Sequence, residues 1–347
     1  MKQLRILYYP RSSNLEHPAD RRRLAFWASH RGHRIILDPN KKHDLVVATE
    51  RSNLGKLHSH CQTPVIFDLV DGYIISDSIV NDFARGYSKI ITGSLSGTPK
   101  RYTTFIKQMC ANSSAVICSS LEQKNLISEF STNVHVILDS HAEIPLQNYI
   151  KRSVPNDKSL FWEGLPATLP ALKKVRKVLD SNSSVEVEHL NLVTDEHYFQ
   201  FLGRYLRRST DTLIKNTLQG SFYKVNFKEW TIENLSALSM QSVAAVLPVI
   251  TESKFQNLKP ENRLLIMWRL GLPAVTSRLP SYLRVMNEIE LDLTCETQGD
   301  WERNISKLLI DADFAEHVVN KGQQYLAERH STEFLLQKWD SAVESVL

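Results

Sequence analysis

Residues 259–282, KPENRLLIMWRLGLPAVTSRLPSY, hold a helix, its exit and a buried strand in one run. Pro260 suits the first turn of a helix, where a missing N–H costs nothing, and Leu264, Leu265 and Trp268 give the helix an apolar stripe. Gly271 followed by Pro273 ends it, and Ala274 to Thr276 reads as a short buried strand. Lys259, Asn262 and Arg263 gather at the helix start, where orphan N–H groups and the helix dipole already favour an anion. This pattern predicts a cradle for a diphosphate. Ser281 and Tyr282 follow Pro280 in what reads as a loop beyond the strand. Their hydroxyls could meet phosphate groups of a ligand, and the Tyr282 ring could equally pack.

Working outward, short apolar runs alternate with segments of helical composition. Strands are expected at residues 4–9, 31–38 (RGHRIILD), 44–48, 64–69, 115–118 and 134–138, with a helix from Pro18 to His30 stopped by Gly32. Ser120 with Gln123 three residues on predicts a capping box opening a helix from Leu121 to Phe130. The polar segment 151–158, KRSVPNDK, reads as a linker. After it the alternation restarts with strands at 159–164, 185–190, 222–227 and 244–249, a helix at 169–179, a longer helical stretch at 196–215, and a helix opened by Thr231. A final helix from Thr332 to Leu347 carries Phe334, Leu335, Trp339, Ala342 and Val346 as its apolar stripe. Buried strands alternating with helices mark parallel sheets covered on both faces, so the fold class is α/β.

The portion LGLPAVTSRLPSY resembles the donor-sugar segment of GT-B glycosyltransferases, particularly glycosyltransferase family 4. Arg31, Gly32 and His33 resemble the Arg-Gly-His signature that closes the first helix of many GT-B enzymes, and TPVIFDLVDGYI is similar to their segment facing sugar and acceptor. The resemblance implies two Rossmann-like domains with parallel sheets facing a central cleft. Residues 1–152 would form the acceptor domain, 153–330 the nucleotide-sugar donor domain, and 331–347 a helix crossing back to the first. The chain departs from the family pattern in two places. The two family glutamates, eight positions apart, fall on Leu258 and Ile266, and the glycine-rich loop before the first helix is replaced by the polar RSSNLEHPAD.

With 347 residues, 42% hydrophobic and 23% charged, the chain has room for two buried cores. No apolar run reaches the roughly 20 residues that span a bilayer. The first residues, MKQLRILYYP, lack a signal-peptide core and read as a strand, so a cytoplasmic protein is expected. The four scattered cysteines predict reduced thiols. His58 and His60 beside Cys61 lack a fourth ligand in a recognisable spacing and read as a solvated helix end. The net charge of +4 is uneven: Arg21, Arg22 and Arg23 adjoin, with Arg31, Arg34, Lys41 and Lys42 behind. These form either a solvated helix face or a patch for anionic headgroups or a phosphate-bearing acceptor. Nucleic acid is not expected, since no aromatic platform or binding motif accompanies the basic residues.

Candidate site residues lie where open sheets bind ligands, beyond strand C-termini. Asp71 either orients or deprotonates an acceptor hydroxyl or makes a tight turn with Gly72, while Asp68 reads as a cap. In the second half, Trp162 and Gly164 flank Glu163 at the end of a strand, where family 4 enzymes begin their phosphate-binding half. The basic residue that the family supplies next is absent from EGLPATLPAL, so Lys254 and Lys259 are candidates to replace it. Glu261 caps its helix or takes a ribose. Asp311 and Asp313 form an Asp-x-Asp that reads as a helix cap rather than a metal site.

The function expected is sugar transfer from a nucleotide-sugar to a carbohydrate or lipid-linked acceptor, in surface polysaccharide or glycoconjugate synthesis. By the resemblance it retains anomeric configuration and needs neither cofactor nor metal; peripheral contact with an anionic membrane at the inner face goes with such an acceptor. The missing glutamates motivate an alternative, a catalytically inactive GT-B-like scaffold for an active partner enzyme. A third reading is a nucleotide-sugar epimerase on the same fold.

Overall fold

Leu45–Thr49, Val65–Leu69 and Ala115–Cys118 are buried along their whole length, as strands must be when helices cover both faces of a sheet. The computed structural model describes residues 2–57, 63–150, 158–180, 187–200, 206–221 and 223–347. His58, His60, Cys61 and most of the expected linker lie outside the described residues.

The chain divides into two units. Unit 1 comprises Met1–His141, Ser253–Pro260 and His330–Leu347; unit 2 comprises Ala142–Glu252 and Glu261–Arg329. The first boundary falls after His141 rather than at the expected residue 152, and Ser253–Pro260 also leaves the expected second domain. Ser253–Pro260 belongs with unit 1 because Asp77 receives the Ser253 hydroxyl and the backbone N–H of Lys254 at 2.7 Å, while Leu258 packs into the unit 1 core.

Unit 1 is built on β1 (Arg5–Tyr9), β2 (Arg34–Ile36), β3 (Leu45–Thr49), β4 (Val65–Leu69), β5 (Ala115–Cys118) and β6 (Val134–Val136). They form one parallel sheet ordered β2-β1-β3-β4-β5-β6. Alternate residues feed two cores. Val46 and Ala48 join Phe67, Tyr102 and Phe105 on one face, and Leu45 and Val47 join Leu24, Trp27 and the helix Thr332–Glu344 on the other. Trp339 of that helix stacks on Trp27 at 5.8 Å, and the Trp27 indole N–H donates to Asp340 at 2.8 Å. Leu336 and Val343, rather than Phe334, complete its inner face.

The expected helix from Pro18 to His30 is two, Pro18–Arg21 and Leu24–His30, broken where Arg23 turns inward. The arginine triplet is therefore not one solvated face. Arg23 is fully buried and donates to both oxygens of the equally buried Asp68, to the Ile137 carbonyl and to Asp139. Asp68 is an ion-pair partner, not a cap.

Unit 2 is built on β7 (Ser159–Glu163), β8 (His189–Thr194), a hairpin of β9 (His197–Gln200) and β10 (Leu206–Ser209), β11 (Lys224–Glu229), β12 (Ala244–Leu247), β13 (Ala274–Ser277) and β14 (Thr294–Cys295). The main sheet is parallel, ordered β11-β8-β7-β12-β13-β14. With the hairpin set aside this is the 3-2-1-4-5-6 order of dinucleotide-binding sheets. The hairpin corrects the helical reading of 196–215: among the described residues of that range the helix starts at Thr210 and runs on to Leu218, and the aromatic pair Tyr198 and Phe199 suits a strand.

The helix in the opening stretch runs Asn262–Arg269 and ends in a Schellman motif. Gly271 has φ +67, its N–H donates to Trp268, and the Leu272 N–H donates to Met267 at 2.9 Å. Its first turn is uncapped by side chains, since Glu261 pairs with Arg284 at 3.2 Å instead. Asp311 accepts the Phe314 N–H at 2.9 Å and so caps the last helix of the unit, Ala312–Arg329. Cys110, Cys118 and Cys295 are free and buried, with thiols pushed up to about 12 chiefly by burial.

Candidate functional site

Each sheet has a point where the strand order reverses, and there the loops beyond the strand C-termini diverge and leave a crevice. In unit 1 the reversal lies between β1 and β3. Arg11 follows β1, Glu50 follows β3 and Asp71 follows β4, and the three meet. The Arg11 guanidinium contacts Glu50 and lies 3.1 Å from Asp71 Oδ2. Arg11 and Glu50 are buried and Asp71 is half-buried. Glu50 Oε2 and Arg11 Nε have no hydrogen-bond partner among the described residues.

The loop carrying Arg11 is shaped by a residue that sequence reading missed. Asp20 is fully buried and accepts from the N–H groups of Arg11 and Ser12, the Ser12 hydroxyl and the Tyr8 hydroxyl at 2.6 Å. A carboxylate thus takes the two N–H groups at the start of this polar loop. The loop carrying Asp71 is held by Gln123. Its amide donates to the carbonyls of Leu69 and Asp71, and its oxygen accepts from Ser119 N–H. This corrects the expected capping box: Ser120 does cap the Gln123 N–H, but the return bond goes to Ser119, and the helix is Leu121–Ile127.

Burial alone would raise the Asp71 carboxyl, but the charges of Arg11 and Lys259, the Arg11 hydrogen bond and nearby His17 bring it below its ordinary value. His17 is held below its ordinary value by burial and by Arg11, and its Nδ1 accepts the Ala19 N–H at 3.1 Å. A carboxylate with a lowered pKa is ionised at neutral pH and is a weak base. Its favourable ion pairing is present above the unfolded carboxylate value and is lost as pH falls through the lower folded value. Asp71 is accordingly expected to give no titration in the neutral range. Carboxyl titration of the wild type against Asp71→Asn, followed by NMR, checks this; a difference near or above the ordinary carboxylate value would contradict it.

Lys254 and Lys259 fall in this unit, and Asn262 and Arg263 in unit 2. Lys254 is exposed, while Lys259 is half-buried, near enough to Asp71 to lower its pKa, and 5.8 Å from the Phe255 ring. Leu258 lies against Gly72, where an added Cβ would come within 3.1 Å of it.

In unit 2 the reversal lies between β7 and β12. Glu163 ends β7, and its Oε1 accepts the indole N–H of Trp230, just past β11, at 3.1 Å. Arg263, in the first turn of its helix, donates to the Glu163 carbonyl, lies 3.6 Å from Glu163 Oε2 and covers the Trp162 ring at 5.3 Å. Gly164 is needed beneath it, since a Cβ there would meet Thr168 Oγ1 at 2.9 Å, the Trp162 ring at 3.0 Å and Arg263 Nη2 at 3.1 Å. Glu163 Oε2, Thr194 Oγ1, Thr276 Oγ1 and Asn262 Oδ1 are buried at the same end of the sheet without hydrogen-bond partners among the described residues. Arg263, 100 positions away in sequence, is thus a basic side chain beside the end of β7.

Three expected contacts change character. Trp162 is fully buried and can only support Arg263 from beneath. Ser281 and Tyr282 lie not in a loop but in the first turn of the helix Pro280–Glu288, with Pro280 at its first position, and both are buried. Burial pushes the Tyr282 hydroxyl up to about 12. Ile266 and Leu258 are both buried apolar side chains, Leu258 within the core of unit 1.

No protein-family model matches the chain, and no curated protein matches it. Solved structures do resemble it. Anabaena HepE, crystallised with UDP and glucose, is similar with a TM-score of 0.63 at 10% identity, over 99% of this chain and 100% of HepE. WaaG, a glycosyltransferase involved in lipopolysaccharide biosynthesis, is similar with a TM-score of 0.52 at 11% identity, over 97% and 98% of the two chains. The fold is GT-B. S. aureus TarM, crystallised with fondaparinux, α-GlcNAc-glycerol and UDP, gives a TM-score of 0.57 at 13% identity over 86% of this chain. The chain spans about half the length of TarM, with 55% of it covered. These neighbours are GT-B glycosyltransferases, and at such identities they establish the shared architecture. Among the described residues no helix is long and apolar enough to cross a membrane.

Proposed function

We propose that the protein transfers a sugar from a nucleotide-sugar, a UDP-sugar by analogy with the ligands of HepE and TarM, to a carbohydrate or lipid-linked acceptor. The observation that carries this reading is Arg263, held on the Trp162 ring at the order reversal of a dinucleotide-type sheet. A guanidinium there can take a diphosphate in a bidentate fashion and offset the charge that grows on it as the glycosidic bond breaks. Asn262 and the uncapped N–H groups of the same helix would share that work. In unit 1, Arg11 and Lys259 keep Asp71 ionised, which suits it to accept a hydrogen bond from an acceptor hydroxyl and orient it. Retention of configuration and independence of metal are part of the proposal, and both rest on the resemblance to family 4. With Leu258 and Ile266 in place of the family glutamates, sugar and ribose must be held by other groups.

Thermal shift with UDP-glucose, UDP and the corresponding GDP and ADP compounds tests the reading. A native-state ligand at 100 times its Kd stabilises by about 2.7 kcal/mol. Wild type is expected to respond to one nucleotide series, Arg263→Ala to lose the response, and Lys254→Ala to keep it. No response of the wild type to any nucleotide-sugar would overturn the proposal and turn attention to the scaffold reading.

A further inference from the structure

The helix Ile79–Ile91 faces the wrong way for a helix of a water-soluble surface. Its buried residues are Asp82 and Gly86. Asp82 accepts from Thr103 N–H at 3.0 Å and from the Thr103 hydroxyl at 2.6 Å, and Gly86 sits so near the Lys100 carbonyl that a Cβ would come within 2.1 Å of it. Lys89, also on the inner side, reaches the Tyr102 hydroxyl at 3.3 Å. Polar and small residues thus anchor the helix. Its large apolar residues point outward: Ile79 is 71% exposed, Val80 76%, Phe83 47%, Tyr87 48% and Ile91 68%.

Positions 79, 83, 87 and 91 are four residues apart and, with Val80, lie within a sector of about 120° at 100° per residue, one continuous stripe. Thirteen residues make it about 20 Å long. An ordinary surface helix turns such a stripe to the core, and an exposed one marks an interaction surface.

The charge of the segment that carries the stripe bears on what covers it. From Ile79 to Lys107 the chain carries Arg85, Lys89, Lys100, Arg101 and Lys107 against a single carboxylate, Asp82, which is buried and bonded to Thr103. The exposed surface of this segment is therefore cationic and free of carboxylates. A second copy packed stripe to stripe would bring like charges together, whereas a bilayer with anionic headgroups supplies both the apolar layer and the opposite charge.

We infer that the helix Ile79–Ile91 is an interfacial helix that seats unit 1 on an anionic lipid surface, with Ile79, Val80, Phe83, Tyr87 and Ile91 entering the acyl boundary. The inference stands apart from the transferase reading, since it concerns binding to lipid with no substrate present. It also relocates the membrane contact expected from the arginine triplet, of which Arg23 is buried.

Co-sedimentation of the full chain with vesicles tests it. Wild type is expected to pellet with phosphatidylglycerol–phosphatidylcholine vesicles, and to pellet less with phosphatidylcholine alone and at high salt. The triple variant I79S/F83S/I91S changes only exposed side chains. Its melting temperature should match wild type while its partitioning to the mixed vesicles falls at least about tenfold. Double replacement of Arg85 and Arg101 by glutamate should weaken binding to anionic vesicles alone. Failure of wild type to pellet, or a triple variant that pellets as wild type does, overturns the inference. A wild type that sediments as a dimer, ignores vesicles and becomes monomeric in the triple variant would also overturn it, in favour of a second copy on the stripe.

Discussion

Replacing Arg23 with methionine is expected to destabilise unit 1 by about 3–5 kcal/mol, the usual cost of removing one partner from a buried ion pair. Arg23 and Asp68 are both fully buried, and the guanidinium also satisfies the Ile137 carbonyl and Asp139. Methionine fills much of the volume but leaves the Asp68 carboxylate without a counter-charge in an apolar surround. The double variant Arg23→Met/Asp68→Leu removes both charges and should be more stable than Arg23→Met alone, because the two substitutions share one interaction. Denaturant unfolding, with hydrogen exchange of β4 and β6 amides to assign the loss to unit 1, measures both. A single variant within about 1 kcal/mol of wild type would mean that the pair contributes little.

Gly271→Ala is the second large effect, and it falls on unit 2. The residue has φ +67, a region that costs an L-residue roughly 1–2 kcal/mol. An added Cβ would also lie 2.6 Å from the Asn148 carbonyl oxygen and 2.9 Å from that of Gln147. These are backbone atoms and cannot rotate away, so the clash adds about 1–3 kcal/mol. The Gln147 N–H donates to the Arg269 carbonyl at 2.8 Å, which fixes the two segments against each other just where the helix ends. A total of about 2–5 kcal/mol is expected, read as a lower midpoint in denaturant. A loss no larger than the left-handed cost alone would show that residues 147–148 move aside easily.

The strands and the order of helices were legible because a sheet covered on both faces imprints a simple signal: short apolar runs such as LVVAT and AVIC between polar turns. Gly271 was legible for the same kind of reason, since helix exit and proline sit side by side. The sites were less so. Nothing in Arg21-Arg22-Arg23 distinguishes the one arginine that meets Asp68, 45 positions away. Arg11 and Glu50 come together only because β1 and β3 are neighbours in the sheet. Arg263 was singled out for its helix position, but its partner Glu163 and its seat on Trp162 depend on where β7 lies. The first turn of Pro280–Glu288 did carry a signal, a proline at the first helical position, and reading Ser281 and Tyr282 as a loop passed over it.

The interleaving of the two units has a consequence for how the protein is made. A ribosome delivers residues in order, yet unit 1 takes its first 141 residues, then Ser253–Pro260, then His330–Leu347. When β6 has emerged, the face of the sheet holding Trp27 still lacks Trp339, Leu336 and Val343, and the other face lacks Leu258. Unit 1 must therefore wait, with part of its apolar interior open, while nearly 200 further residues are synthesised, a count that follows from residues 142 to 329. Domains usually fold one after another during synthesis, and an open apolar face invites chaperones or aggregation. Here the domain begun first is completed last, and a nascent chain stalled before residue 330 should be held by a chaperone that the released protein no longer needs.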